Sequence, residues 1–192
     1  MRLNGALVLL LAGCGRVGFD SRADPTPDAP WMTAKMFGAS ALGANQGLQT
    51  QDAARFARWT LPDEALVTSI TLSLAGNGVL NTQPIVAVIY SDNAGEPDQL
   101  VARSVEIDYS AASVTPEWVD FALPTAVRLS RGAYWIGDHT GGPANTFFTY
   151  DDLVGAGRRP LDPYADGTAA VALPDNPSDR QYAFYASYFT AP

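Results

Sequence analysis

From residue 56 onward, apolar and polar side chains alternate in short runs, each bounded by residues that favour turns. The clearest run is 66–74, where Leu66, Thr68, Ile70, Leu72 and Leu74 fall on one side of an extended chain and Val67, Ser69, Thr71 and Ser73 on the other. Successive side chains of an extended backbone point to opposite faces, so this period of two predicts a half-buried strand. Comparable runs at 58–61, 85–90, 100–109, 118–123, 127–129, 133–138, 146–150, 168–173 and 181–190 bring the expected total to about nine or ten strands. Between them, residues 75–78, 91–98, 130–132 and 140–143 are rich in Gly, Asn, Asp and Pro, which tolerate tight or left-handed backbone. This spacing predicts an all-β fold, an antiparallel β-sandwich of the jelly-roll type. Residues 32–54 have no such rhythm, and 49–58 suits either a short helix or an edge strand preceded by a loop.

The beginning of the chain follows a different pattern. Arg2 precedes an apolar run from Ala6 to Ala12, which ends in Leu11, Ala12, Gly13 and Cys14. Small residues directly before a cysteine resemble the cleavage site of bacterial lipoproteins, in which the cysteine thiol receives a diacylglycerol. The run is too short to span a bilayer, which takes roughly 20 apolar residues. Cys14 is the chain's one cysteine, so no disulfide competes for the thiol in an oxidising compartment. The resemblance implies a leader over 1–13, a lipidated Cys14, and a membrane-held protein of the cell envelope. Gly15, following the cysteine, favours the outer membrane or cell surface in the sorting convention that the resemblance brings. Residues 14–30 are polar and interrupted by Pro25, Pro27 and Pro30, as in an extended tether. The β-sandwich domain is then expected over 31–192.

A second resemblance lies in the domain itself. Arg58 to Leu61, Val67 to Leu72, Val88 to Pro97 with Leu100 to Ala102, and Gly132 to Gly137 follow one another as in a β-sandwich domain of bacterial extracellular proteins. Tyr164 to Gly167 and Tyr185 to Tyr188 resemble its closing segments. That domain is of uncharacterised function and similar in fold to carbohydrate-binding jelly rolls, so the resemblance implies a fold and says little about chemistry.

Composition narrows the chemistry. The formal charge is -8, and loss of the leader with Arg2 would leave eleven basic against twenty acidic side chains. Lys35 is the only lysine and the arginines are scattered, which disfavours nucleic acid, whose binding requires clustered cations. A histidine-based nucleophile mechanism has only His139 to draw on, expected at a strand end as a partly exposed loop residue. Zinc needs several His or Cys ligands, which one histidine cannot supply. Glycoside hydrolysis needs two facing carboxylates, and although Asp138, Asp151, Asp152 and Glu117 are available, nothing in the sequence pairs them. The expectation is a protein that is not an enzyme.

Two kinds of binding residue remain. Calcium suits loop carboxylates and carbonyls, and Asp92, Asn93 and Asp98 form one candidate loop; Asp151 and Asp152, joined by Asp162 and Asp166, form another. The commoner role of such acids is to shape turns and stay solvated. A glycan would need an exposed aromatic face flanked by hydrogen-bonding groups. Trp118, Trp135, Phe147, Phe148, Tyr150 and Tyr164 are the aromatic candidates, most of them expected in the core; Tyr164, in the loop 158–167, is the one expected to be exposed, and Tyr164, Trp135 and Tyr150 with Asp138 make up the expected ligand site. Alternation places one of Tyr134 and Trp135 inside, and likewise one of Phe147 and Phe148. The two functional expectations are a non-catalytic binding module, for glycans above all, and a structural or protein-interaction domain of the envelope with no small-ligand site.

Overall fold

The computed structural model describes residues 33–79, 82–110, 112–143, 146–172 and 177–190. The expected leader, Cys14 and the tether lie outside the described residues, as do parts of the 75–78 and 140–143 surroundings at 80–81 and 144–145. Among the described residues twelve strands carry the fold, rather than the nine or ten expected: β1 (Lys35–Gly38), β2 (Asn45–Leu48), β3 (Ala53–Leu61), β4 (Ala65–Gly76), β5 (Gln83–Asn93), β6 (Glu96–Arg103), β7 (Ile107–Tyr109), β8 (Glu117–Leu129), β9 (Gly132–Thr140), β10 (Thr146–Arg158), β11 (Pro177–Tyr182) and β12 (Phe184–Thr190). Among the described residues the helical content is one 3-10 turn, Tyr164–Asp166. No helix there is long and apolar enough to cross a membrane.

The fold is all-β and antiparallel. Hydrogen bonds link the strands in the order β1-β12-β4-β10-β3-β9-β5-β6, with β8 on β4, β2 and β11 on β10, and β7 on β5. β10 connects two groups of strands: residues 146–148 pair with β4, while Gly157 and Arg158 pair with β3. Between Asp152 and Gly157 its register against β11 slips, and Val154 in that bulge is 87% exposed.

The large apolar cluster combines Ile70, Leu72 and Leu74 of β4 with Ile85, Ala87 and Ile89 of β5, Ile136 of β9, Phe121 of β8, Phe148 of β10 and Phe184 of β12. A smaller cluster of Phe56, Val86, Val88, Tyr90 and Trp135 occupies the other face of β3, β5 and β9. Leu100, Tyr164 and Ala172 pack on it. The segment after β10 crosses this face, held by Ala54 N–H on the Pro160 carbonyl at 3.1 Å, Leu100 N–H on Ala170 at 2.9 Å and Ala172 N–H on Asp98 at 2.7 Å. Covering both faces explains why Ile85 to Tyr90 is apolar at every position.

Several strand boundaries differ from those the sequence predicts. Residues 49–58 are not helical: β3 begins at Ala53 and pairs with β9 along its whole length. In β4 burial alternates at Ala65 and Val67 and is then continuous from Ile70 to Gly76: Ile70, Leu72 and Leu74 face the large cluster, and Thr71 and Ser73, expected on a wet face, are buried as well. The alternation changes phase because Ser187 and Tyr188 of β12 pair with Ser69 and Val67, leaving Thr68 as an extra residue. A bulge inserts one residue and reverses the faces beyond it. The runs 118–123 and 127–129 are one strand, β8, whose register jumps from Ala122 to Val127 around Pro124, a residue that cannot donate to the ladder. Conversely, 100–109 divides between β6 and β7, and 181–190 divides at Ala183, where the chain leaves β10 for β4. Of the strand expected at 168–173, the described residues form one isolated bridge, Val171 to Gln99. The turn expected over 91–98 is only Ala94 and Gly95, both at positive φ (54° and 92°), the geometry of a two-residue hairpin.

Candidate functional site

The first candidate calcium loop is spoken for by the fold. Arg58 donates to both Asp92 oxygens, at 2.6 and 2.9 Å, Trp135 Nε1–H donates to Oδ1 at 2.8 Å, and Gly95 N–H donates to Oδ2 at 3.2 Å. Charge-assisted hydrogen bonding from Arg58 above all holds the Asp92 carboxyl below its ordinary range. Asn93 is exposed, and the Asp98 side chain accepts from its neighbour Gln99 at 3.1 Å. Asp151 and Asp152, expected in a second loop, lie instead within β10, where Asp151 accepts from Ala44 N–H at 2.9 Å and Asp152 from Asn45 Nδ2 at 3.2 Å. Asp162 is buried beside His139. Among the described residues no three His, Cys, Asp or Glu side chains converge as a metal site would require.

Two of the four glycan candidates are interior. Trp135 is 1% exposed, beneath the Arg158 guanidinium at 4.9 Å, and Arg158 is itself paired with Glu96 at 2.6 Å. Asp138 is fully buried. It accepts from Gln49 Nε2 at 2.6 Å and from Arg55 at 3.3 Å, while Arg55 also reaches Gln49, Thr140 and Thr50. Burial pushes the Asp138 carboxyl up and the Arg55 guanidinium down, each against the other's attraction. The alternation predicted Trp135 or Tyr134 inside, and Trp135 is the one; it likewise sends Phe148 inside, with Phe147 half-buried.

The remaining aromatics are engaged in part. Tyr150 is half-buried under the Arg180 guanidinium at 4.4 Å. Tyr164 is half-buried, donates its hydroxyl to Glu106 at 2.6 Å, and rests on the His139 ring at 4.9 Å. His139 is 1% exposed rather than a partly exposed loop residue, because the segment after β10 folds over it; its Nε2 lies 2.8 Å from the Asp162 carbonyl. Trp118 meets Tyr185 edge to face at 5.0 Å, and Glu117 accepts from the Tyr109 hydroxyl at 3.1 Å.

One concave site brings together groups of the kind a hydroxyl-rich ligand uses. A cavity of about 220 Å³ is lined by the segment from Gly38 to Ala41, by Trp59 of β3, Asp151 of β10, and Gln181, Tyr182 and Ala183. The segment after β1 lies against β12 and β10. Ala39 N–H bonds the Phe184 carbonyl at 2.9 Å, Gly43 N–H bonds Thr149 Oγ1 at 3.1 Å, and Ala44 N–H bonds Asp151. Glycine is needed there: a Cβ on Gly43 would lie 2.3 Å from the Tyr150 backbone nitrogen. Gly38 has φ of 132°, which side chains disfavour.

Trp59 sits half-buried against the large core cluster, between exposed Arg58 and Thr60. Its indole Nε1–H is buried with no hydrogen-bond partner among the described residues. A buried donor left without a partner costs about 1–3 kcal/mol. Asp151 and Gln181, opposite each other in the β10–β11 register, add an acceptor and an amide. Asp151 was recognisable from sequence as a candidate acid; Trp59 and Gln181 were not singled out. The sequence signal for Trp59, a large aromatic between two exposed polar residues in a period-two run, reads equally as ordinary core, and only the unmatched indole separates the two.

No protein-family model matches the chain, and no curated protein matches it.

Proposed function

We propose that this protein is a non-catalytic binding module for a neutral, hydroxyl-rich ligand, a glycan unit, taken up in the cavity at Trp59. The observation that carries the reading is that Trp59, whose buried indole N–H has no hydrogen-bond partner among the described residues, lines a cavity together with Asp151 and Gln181. Sugars present hydroxyls to such groups and an apolar ring face to an aromatic side chain. The lining contributes one carboxylate, Asp151, whereas glycoside hydrolysis employs two, which favours binding over catalysis. In this reading the twelve strands layer as a jelly-roll sandwich, with β10 passing from one layer to the other. Lipid on Cys14 holds the domain at the cell envelope; Cys14→Ser should release it from the membrane fraction.

The test is the melting temperature of the full-length chain in a panel of neutral saccharides. A ligand that binds only the folded state at a hundredfold excess over Kd adds about 2.7 kcal/mol of stability. Trp59→Phe, which keeps an aromatic ring but removes the N–H together with the five-membered ring of the indole, should lose most of the shift. A panel without effect would favour the alternative, a protein-interaction domain, for which Leu153 and Val154, 50% and 87% exposed at the β10 bulge, offer an apolar contact.

A further inference from the structure

The protein is acidic, and most of its described cations are neutralised locally. Lys35, Arg55, Arg58, Arg128 and Arg158 each meet a carboxylate within ion-pair distance. Arg103, Arg131, Arg159 and Arg180 meet none among the described residues, and the last two line one cleft of about 450 Å³, completed by Leu161, Pro177, Ser178 and Asp179. Two guanidinium groups lining one cleft, with Asp179 the one carboxylate in its wall, leave a local excess of positive charge that an anion would offset.

Each arginine is already oriented. Arg180 lies over the Tyr150 ring at 4.4 Å and near Phe148 at 6.0 Å, so its planar fork is held by cation–π contact. Arg159 donates one N–H to Thr50 Oγ1 at 3.2 Å, leaving other donors of the five that a guanidinium carries. Asp179 belongs to the same wall, its Oδ1 held by Gly155 N–H at 2.9 Å. The ionised side chains lining the cleft therefore sum to a single positive charge, which matches a monoanion rather than a dianion. Leu161, 68% exposed, and Pro177 supply apolar surface beside the charge.

We infer that the Arg159–Arg180 cleft is a second ligand site, separate from the Trp59 cavity, for an organic monocarboxylate: the carboxylate sits between the two guanidinium forks and its apolar body lies on Leu161 and Pro177. Bidentate arginine–carboxylate pairing supplies both strength and orientation. The carboxylate belongs either to an acidic sugar or to an aromatic or aliphatic acid.

Isothermal titration of the full-length chain with sodium glucuronate, sodium benzoate, glucose and inorganic phosphate tests this. Binding of glucuronate or benzoate is expected, and the tighter of the two identifies the source. Arg159→Gln and Arg180→Gln should each weaken it at least tenfold, with Arg180→Lys recovering only part because the fork is lost. Trp59→Phe should leave it unchanged, which separates this site from the saccharide cavity. The absence of carboxylate heat at millimolar concentration, unaltered affinity in both glutamine variants, or tighter binding of phosphate would each overturn the assignment.

Discussion

Arg55 and Arg58 stand three residues apart on β3, face opposite sides of it, and each meets an aspartate. Arg55 and Asp138 are both fully buried, with Gln49 and Thr140 sharing their hydrogen bonds. Arg58 is 46% exposed and Asp92 11%, in a tighter, two-pronged pair. In the first pair burial dominates both groups and opposes their charges; in the second the partner's hydrogen bonds dominate. The shorter contact is thus not the one on which the fold depends more. A buried pair has little energetic surplus over an apolar one, but leaving one partner alone inside is severe. At a surface, water replaces whatever is lost.

The largest effect should come from Asp138→Ala, which strands the Arg55 guanidinium and the Gln49 amide in the interior: about 3–5 kcal/mol lost in urea denaturation. The double variant Arg55→Met with Asp138→Leu should be less damaged than either single replacement. If the double variant were the worse of the two cases, the buried pair would be a net source of stability and the comparison would fail. Asp92→Ala comes next, at about 1–3 kcal/mol, because it also unpairs the buried Trp135 indole N–H. Arg58→Ala, whose side chain is nearly half in water, should cost at most about 1 kcal/mol.

The smallest effect, and the sharpest contrast, is in pH. The folded Asp92 carboxyl holds its proton less tightly than in the unfolded chain. Its contribution is therefore complete above the ordinary carboxylate range and disappears as pH falls through the folded value. For Asp138 the sign reverses: burial makes the folded chain hold the proton longer, so its contribution is complete at acid pH and fades as pH rises through the folded value. Wild type should lose ground to Asp92→Asn as pH drops from about 7 to about 3, and to Asp138→Asn as pH climbs over the same span. Parallel slopes in the two stability curves would refute the contrast.

The strand pattern was legible because period-two alternation survives wherever one face is buried and the other is wet. It failed at Thr68, where one bulged residue reverses the faces, and at Pro124, where β8 continues past a residue that breaks the ladder. His139 and Asp138 show the limit differently. Their alternation on β9 was readable, but their burial comes from the segment folded across one face and from Arg55 and Gln49 on the other, partners that sequence distance conceals. The second face of β9 had no sequence marker because the segment crossing it, 159–172, is mostly irregular. Asp151 was visible as a candidate acid, whereas Trp59 resembled any core tryptophan, since an unmatched hydrogen-bond donor has no signature in sequence.

Nitrogen-resolved NMR of the full-length chain observes directly the Trp59 indole proton that the proposed saccharide would meet. With the resonance assigned by its disappearance in Trp59→Phe, titration with neutral mono- and oligosaccharides should shift it saturably, while the Trp135 indole, bonded to Asp92, stays in place. A Trp59 resonance unmoved by every saccharide that binds the protein, or by the whole panel, would rule out a saccharide site at Trp59.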